Sequence, residues 1–277
     1  MIRTLRRMAR PFRCAGRGFR HGFVEGLSPW EPPEVPPVPL TTPSIITASL
    51  PKSGTVYLSN LMREGLRYAA EMVSHGYFPV DLIDWKKLVE HRAGAVVSSH
   101  LDPSPTNLKF LAHFQPRIHV HIRDPRQAAL SMAHHLAKYQ REKYVGYDIQ
   151  TEPAPPPEFH EWPLAGQIDW MLAEYLPNCV TWIGDWLAIL DSGVRGIDIL
   201  LTTYEEMLAD ERGLIQRILA FFGVPESAYT WPTVPKTMAA HFRQGTPDEW
   251  RHVFTPEQQE RATALVPSEW RERFLWG

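Results

Sequence analysis

Lys52, Ser53, Gly54 and Thr55 stand together in the stretch SLPKSGTVYLSNLM, residues 49–62. One ammonium, two hydroxyls and a glycine lie between a short apolar run and a helical pattern. That is the layout of an anion cradle. A strand–loop–helix unit aims backbone N–H groups and the positive helix end at a negative ligand. Gly54 permits close backbone approach or a positive φ. The nucleoside-triphosphate version of such a loop needs G-x-x-x-x-G-K-[ST]. Here the lysine precedes the glycine, and residues 44–51 contain no glycine. Taken alone, PKSGT also fits a loop with an incidental lysine.

A second stretch carries related chemistry. RDPRQAALS, residues 123–131, puts Arg123 at the end of an apolar run and Ser131 in the helical pattern that follows. A guanidinium offers a rigid fork matched to phosphate, and a hydroxyl can donate beside it. Arg123–Asp124 by itself also fits a local ion pair or a helix cap. Any of the twelve histidines could accept a proton, because an imidazole titrates near neutrality, and His100 in SSHLDP stands at the end of an apolar run. His119, His121, His134 and His135 read as structural.

The elements that must position these groups follow from the hydrophobic pattern. SIITASL (44–50), GAVVSSH (94–100), RIHVHIR (117–123) and IDILLTTY (197–204) read as strands. Leu58, Leu61, Met62 and Leu66 recur at helical spacing after the loop. Helices are also expected from Asp124, a plausible cap with Pro125 in the first turn, over 164–191, and over 213–225, ended by Gly223 and Pro225. Strands alternating with helices predict an α/β fold: a P-loop-type parallel β-sheet flanked by helices on both faces, in a single domain. Open parallel sheets bind ligands beyond the carboxyl ends of their strands. Lys52, His100 and Arg123 all fall at such ends.

The 277 residues suffice for one large domain or two small ones. Residues 1–24 hold seven arginines and no acidic residue, so the rest of the chain is more acidic than the net charge of −2 suggests. An acidic body argues against nucleic-acid binding by the fold. Residues 1–43 are expected to be a basic, Pro-rich, disordered extension and linker, with 44–277 as the folded domain. For the arginine-rich tail, weak contact with anionic lipid and a transit-like peptide are the alternatives. Two cysteines cannot make a disulfide framework. Neither an apolar run of membrane-spanning length nor a secretory signal is found, so a cytoplasmic location is expected. No cluster with metal-ligand spacing is apparent.

The motifs resemble those of the sulfotransferases that use 3′-phosphoadenosine 5′-phosphosulfate (PAPS), most nearly the cytosolic type. PKSGT is similar to their 5′-phosphosulfate loop and RDPRQAALS to their 3′-phosphate motif. TTYEEM (202–207) resembles the segment with an adenine-side tyrosine. FRQGTPDEWRHVFTPEQQE (242–260) resembles the C-terminal RKGxxGDWKNxFT region. The resemblance runs in order from about Ser44 to Glu260. It implies a PAPS co-substrate and no metal. It assigns Lys52, Ser53, Gly54, Thr55, Val56 and Tyr57 to the 5′ end and adenine. Arg123, Ser131, Arg243, Gln244 and Gly245 fall to the 3′-phosphate, and Tyr204 to the adenine. Catalysis falls to Lys52, beside the leaving phosphate, and to His100 as general base for in-line displacement.

The chain departs from the family pattern in several places. Ser98 stands where a lysine is usual, Val56 where a threonine is, Tyr57 where a tryptophan is, and Gln244 where a basic residue is. Pro256 interrupts the family's dimer pattern, which leaves the oligomeric state open. The acceptor, a small molecule or a saccharide bearing a hydroxyl or an amine, is also open. Two alternatives remain at this level: a P-loop kinase or other nucleotide-using enzyme, and a non-catalytic binding protein on the same fold.

Overall fold

In the computed structural model, residues 42–142, 151–194, 196–234 and 248–277 are described, and all belong to one compact unit. Arg243, Gln244, Gly245 and the arginine-rich tail lie outside these residues.

Five strands make the central sheet: β1 (Ile45–Ser49), β2 (Ala69–Glu71), β5 (Ala95–Ser99), β6 (Arg117–Ile122) and β7 (Asp198–Thr203). Their order is β2-β5-β1-β6-β7, with every pairing parallel. β3 (Ser74–Tyr77) and β4 (Val80–Ile83) form a separate antiparallel hairpin. The four strands expected from sequence are thus present within a residue or two of their expected bounds. The edge strand β2 and the hairpin were not foreseen. They are three or four residues long, which is too short for a periodic signal.

The helices are α1 (Thr55–Leu66), α2 (Trp85–Glu90), α3 (Pro105–Phe114), α4 (Pro125–Glu142), α5 (Leu164–Trp170) and α6 (Leu176–Ser192), followed by α7 (Tyr204–Ala209), α8 (Glu211–Phe222), α9 (Trp250–Val253), α10 (Pro256–Leu265) and α11 (Ser268–Arg273). A π-turn at Met171–Tyr175 joins α5 to α6, so the expected helix over 164–191 is continuous but locally widened. Pro256 begins α10, where the Thr255 hydroxyl accepts the Gln258 N–H in a capping box. A proline there forfeits no helical hydrogen bond.

Every residue of β1 is buried, and β6 is buried after Arg117. Both faces of this sheet are therefore covered, as parallel sheets require. On one face Ile45, Val96 and the partly buried Leu200 pack with Leu58, Leu61 and Met62 of α1 and with Ile215 and Ile218 of α8. In parallel register Thr47 sits beside His119, and Ser49 beside His121 and through it Thr202. Ile45, Thr47 and Ser49 alternate along β1 with one residue between each, so this polar set shares the α1/α8 face. A second apolar cluster joins Leu130 of α4 to Ile168, Leu176, Trp250, Phe254 and Ala262.

Candidate active site

β1 is the middle strand, and the loop after it turns on two left-handed residues. Lys52 has φ 67° and Gly54 φ 83°. A lysine in that region is strained and persists only where its surroundings hold it. Three contacts do so. The Ser53 N–H and Oγ–H both donate to the Leu50 carbonyl, at 3.2 and 2.6 Å. The Arg123 guanidinium donates from Nη1 to the Lys52 carbonyl at 2.8 Å. Thr55 Oγ1 donates to Ser49 Oγ at 2.9 Å.

The first intrahelical bond of α1 runs from the Leu58 N–H to the Gly54 carbonyl. The N–H groups of Thr55, Val56 and Tyr57 therefore have no acceptor within their own helix. Val56 is 41% exposed, so what it offers at this end is its backbone N–H. A Cβ at Gly54 would stand 2.9 Å from Met207 Cε and 3.0 Å from two ring carbons of Tyr204. Gly54 is thus required for both conformation and space. Gly54→Ala is expected to lower stability by about 1–3 kcal/mol. Urea unfolding measures it, and an unchanged midpoint would show that the loop tolerates another backbone path.

Lys52, His100, Arg123 and Tyr204 come from the carboxyl ends of β1, β5, β6 and β7, four neighbouring strands. Burial pushes the half-buried Lys52 ammonium down to about 7, and the Arg123 charge adds to that. Arg123 is itself buried, with its guanidinium 4.0 Å from the centroid of the Tyr204 ring. Asp124 is not its ion-pair partner. The Asp124 carboxylate caps α4 through the Arg126 N–H at 2.9 Å and pairs with the buried Arg126 guanidinium at 2.8 Å. Arg126 also stacks over Trp250 and donates to the Trp276 carbonyl, tying the C-terminal segment to the start of α4.

His100 Nδ1 lies 2.7 Å from the Ser49 carbonyl oxygen. A carbonyl can only accept, so Nδ1 carries the proton and Nε2 keeps its lone pair. Burial lowers the imidazole below its ordinary value. The Ser49 bond and Asp81 oppose this, and the nearby Lys52 charge reinforces it. The backbone at His100 is held from three sides. Its N–H donates to Asp81 Oδ2 at 3.1 Å. Trp182 Nε1 donates to the His100 and Leu101 carbonyls, and Trp186 Nε1 donates to that of Leu101. The Phe78 ring stands edge-on to the imidazole, with centroids 6.4 Å apart.

Tyr57 is partly buried, and its hydroxyl donates to Glu211 Oε2 at 2.8 Å. Ser131 lies partly buried within α4. Asp81, Trp182, Trp186 and Glu211 are the groups around this site that sequence reasoning did not reach, while His119 and His121, read from sequence as structural, are both buried and hydrogen-bonded. The alternation of β4, with Asp81 and Ile83 buried between exposed neighbours, is the one local hint at Asp81. Phe159 is fully buried between Trp162 and Trp170, so of these three aromatics it is core. Among the described residues, no group of three or more His, Cys, Asp or Glu is placed to hold a metal ion, and no helix is long and apolar enough to cross a membrane.

Residues 42–271 match the model of the sulfotransferase domain. A crystal structure of mouse sulfotransferase SULT7A1 complexed with PAP superposes with a TM-score of 0.54 at 19% identity. The match covers 82% of this chain and 83% of that one. A sulfotransferase from Alicyclobacillus acidocaldarius aligns with a TM-score of 0.40 at 17% identity, over 84% of this chain and 100% of that one. No curated protein matches the chain.

Proposed function

Because the chain belongs to the sulfotransferase domain family, a family of enzymes, we propose that it moves a sulfuryl group from PAPS to a hydroxyl or amine acceptor, with Lys52 and His100 as the catalytic pair. The domain is taken to begin near Ser44, after the basic Pro-rich extension. The observation that carries the reading is the meeting at the carboxyl ends of neighbouring strands of a half-buried lysine in a left-handed loop and a histidine whose Nε2 lone pair is left open. A partly buried, strained loop lysine with no anion to meet would only destabilise the fold. Against a phosphosulfate it is the charge the leaving oxygen needs.

In the proposed reaction the acceptor's oxygen or nitrogen forms a bond to sulfur, in line with the bridging S–O bond that breaks. The acceptor proton passes to His100 Nε2. The electron pair of the broken bond stays on the phosphate oxygen, beside the Lys52 ammonium. The Gly54, Thr55, Val56 and Tyr57 N–H groups are assigned to the 5′ end, and the Ser53 and Thr55 hydroxyls join them by turning their protons away from the Leu50 carbonyl and Ser49 Oγ. Arg123, Ser131 and the segment Arg243–Gln244–Gly245 are assigned to the 3′-phosphate, and Tyr57 and Tyr204 to the adenine side.

Two measurements test this. The product nucleotide PAP is expected to raise the melting temperature, and ATP is not. Labelled PAPS offered with a panel of phenols, lipid alcohols, saccharides and amines is expected to yield a labelled product in one class. Stabilisation by ATP without PAP would move the reading to a nucleotide kinase. Binding of PAP without transfer to any class would move it to a binding protein.

A further inference from the structure

His119 and His121 are both fully buried, on the sheet face beneath α1 and α8. The proposed reaction uses neither. Two imidazoles in an interior cost more than apolar residues of the same size unless each nitrogen is satisfied. All four nitrogens are. His121 Nε2 is 3.0 Å from the Ser53 carbonyl, and His121 Nδ1 is 2.7 Å from Thr202 Oγ1. The same Thr202 oxygen is 2.6 Å from His119 Nε2, and His119 Nδ1 is 3.0 Å from Thr47 Oγ1.

One end of this chain fixes the direction of every bond. The Ser53 carbonyl only accepts, so His121 Nε2 holds the proton. Burial, opposed by that carbonyl and aided by the Arg123 charge, pushes His121 down to about 4, so the ring is neutral at physiological pH and its Nδ1 must accept. The donor to Nδ1 is the Thr202 hydroxyl. The Thr202 oxygen then accepts from His119 Nε2, and the Thr47 hydroxyl donates to His119 Nδ1. Four hydrogen bonds thus run one way across β1, β6 and β7 and end on the anion loop.

The end point matters because of peptide geometry. Ser53 C=O and Gly54 N–H belong to one planar trans peptide and point in opposite directions. The neighbouring Lys52 carbonyl is held by Arg123, and the Gly54 carbonyl accepts the Leu58 N–H. Three successive carbonyls are turned onto protein donors. We propose that His121 is a positioning residue for the anion loop: by holding the Ser53 carbonyl inside the sheet, it aims the Gly54 N–H at the anion. Thr202 and His119 act behind it by holding the tautomer. The role of the anion rests on the sulfotransferase reading above.

The test uses the full chain and PAP. His121→Leu removes the donor, and His121→Gln retains a side-chain N–H. Misaiming one N–H that meets a charged acceptor is expected to raise the PAP Kd about tenfold or more in the leucine variant, as titration calorimetry reads it. The glutamine variant is expected to recover most of the loss. Equal affinity in wild type and the leucine variant overturns the proposal, and so does an equal loss in both variants. If the leucine variant does not fold, Thr202→Val carries the comparison, with weaker PAP binding expected and an unchanged Kd overturning the idea. The nitrogen spectrum of the wild-type imidazoles separates the two levels of the argument. His121 must show the Nε2–H tautomer whether or not PAP binds, and the Nδ1–H form overturns the positioning role. Failure of wild type to bind PAP overturns instead the sulfotransferase reading of the loop.

Discussion

Lys52→Met is expected to lower the rate of sulfuryl transfer by roughly 10²–10³-fold, the loss typical when one preorganised group is removed from a developing charge. Methionine keeps the length and apolar stem of the side chain and removes only the ammonium. The strained backbone at φ 67° is held by Arg123 and Leu50 through main-chain groups, so the variant is expected to fold. A pH signature accompanies the loss. In the free protein Lys52 sits at about 7, because burial and then Arg123 disfavour its charge. The ammonium is therefore fully present below that value and is lost as pH rises through it. A bound phosphosulfate or phosphate opposes both causes and lifts the value, so binding of PAP near pH 8 takes up about one proton and binding near pH 6 takes up almost none. Calorimetry in buffers of different ionisation enthalpy reads this directly. Proton uptake at pH 8 that persists in Lys52→Met would assign it to another group and remove the lysine from the phosphate.

His100→Gln is expected to lower kcat by about 10²–10⁴-fold, the usual contribution of a positioned base, with a much smaller change in KM for PAPS. The side-chain amide can still donate to the Ser49 carbonyl, as Nδ1 does now at 2.7 Å, so the strand end keeps its shape. It has no basic nitrogen, so the acceptor proton has nowhere to go. The wild-type profile sharpens the test. Burial holds the imidazole below its ordinary value, and the proposed base acts in its neutral form. The acid limb of kcat/KM should therefore lie below the ordinary histidine value of about 6.5 and should be absent in the variant. A variant that keeps both wild-type kcat and the acid limb would exclude His100 as the base.

Much of the architecture was legible because it repeats locally. SIITASL and RIHVHIR carry β-branched runs, and helical spacing follows each of them, so a parallel sheet with covered faces was the one economical arrangement. The lysine-before-glycine order in PKSGT separates this loop from the triphosphate kind. Asp124 and Pro125 marked the start of α4 correctly, because a cap is a property of three or four consecutive residues. Arg243, Gln244 and Gly245 lie outside the described residues, so their assignment still rests on the motif alone.

Which residue types stand at the strand ends is readable along the chain, since periodicity and motif order are properties of consecutive residues. How those groups are aimed comes from long-range packing. The tautomer of His100 depends on the Ser49 carbonyl, and its backbone depends on Asp81 and Trp182, across 51, 19 and 82 residues of chain. Arg123 meets Lys52 and Tyr204 instead of its neighbour Asp124, which is claimed by Arg126. His119 and His121 look like ordinary strand residues until the register of three strands places Thr47 and Thr202 against them. Direction in a hydrogen bond is fixed by what lies opposite, and in a parallel sheet the residue opposite comes from a distant part of the chain.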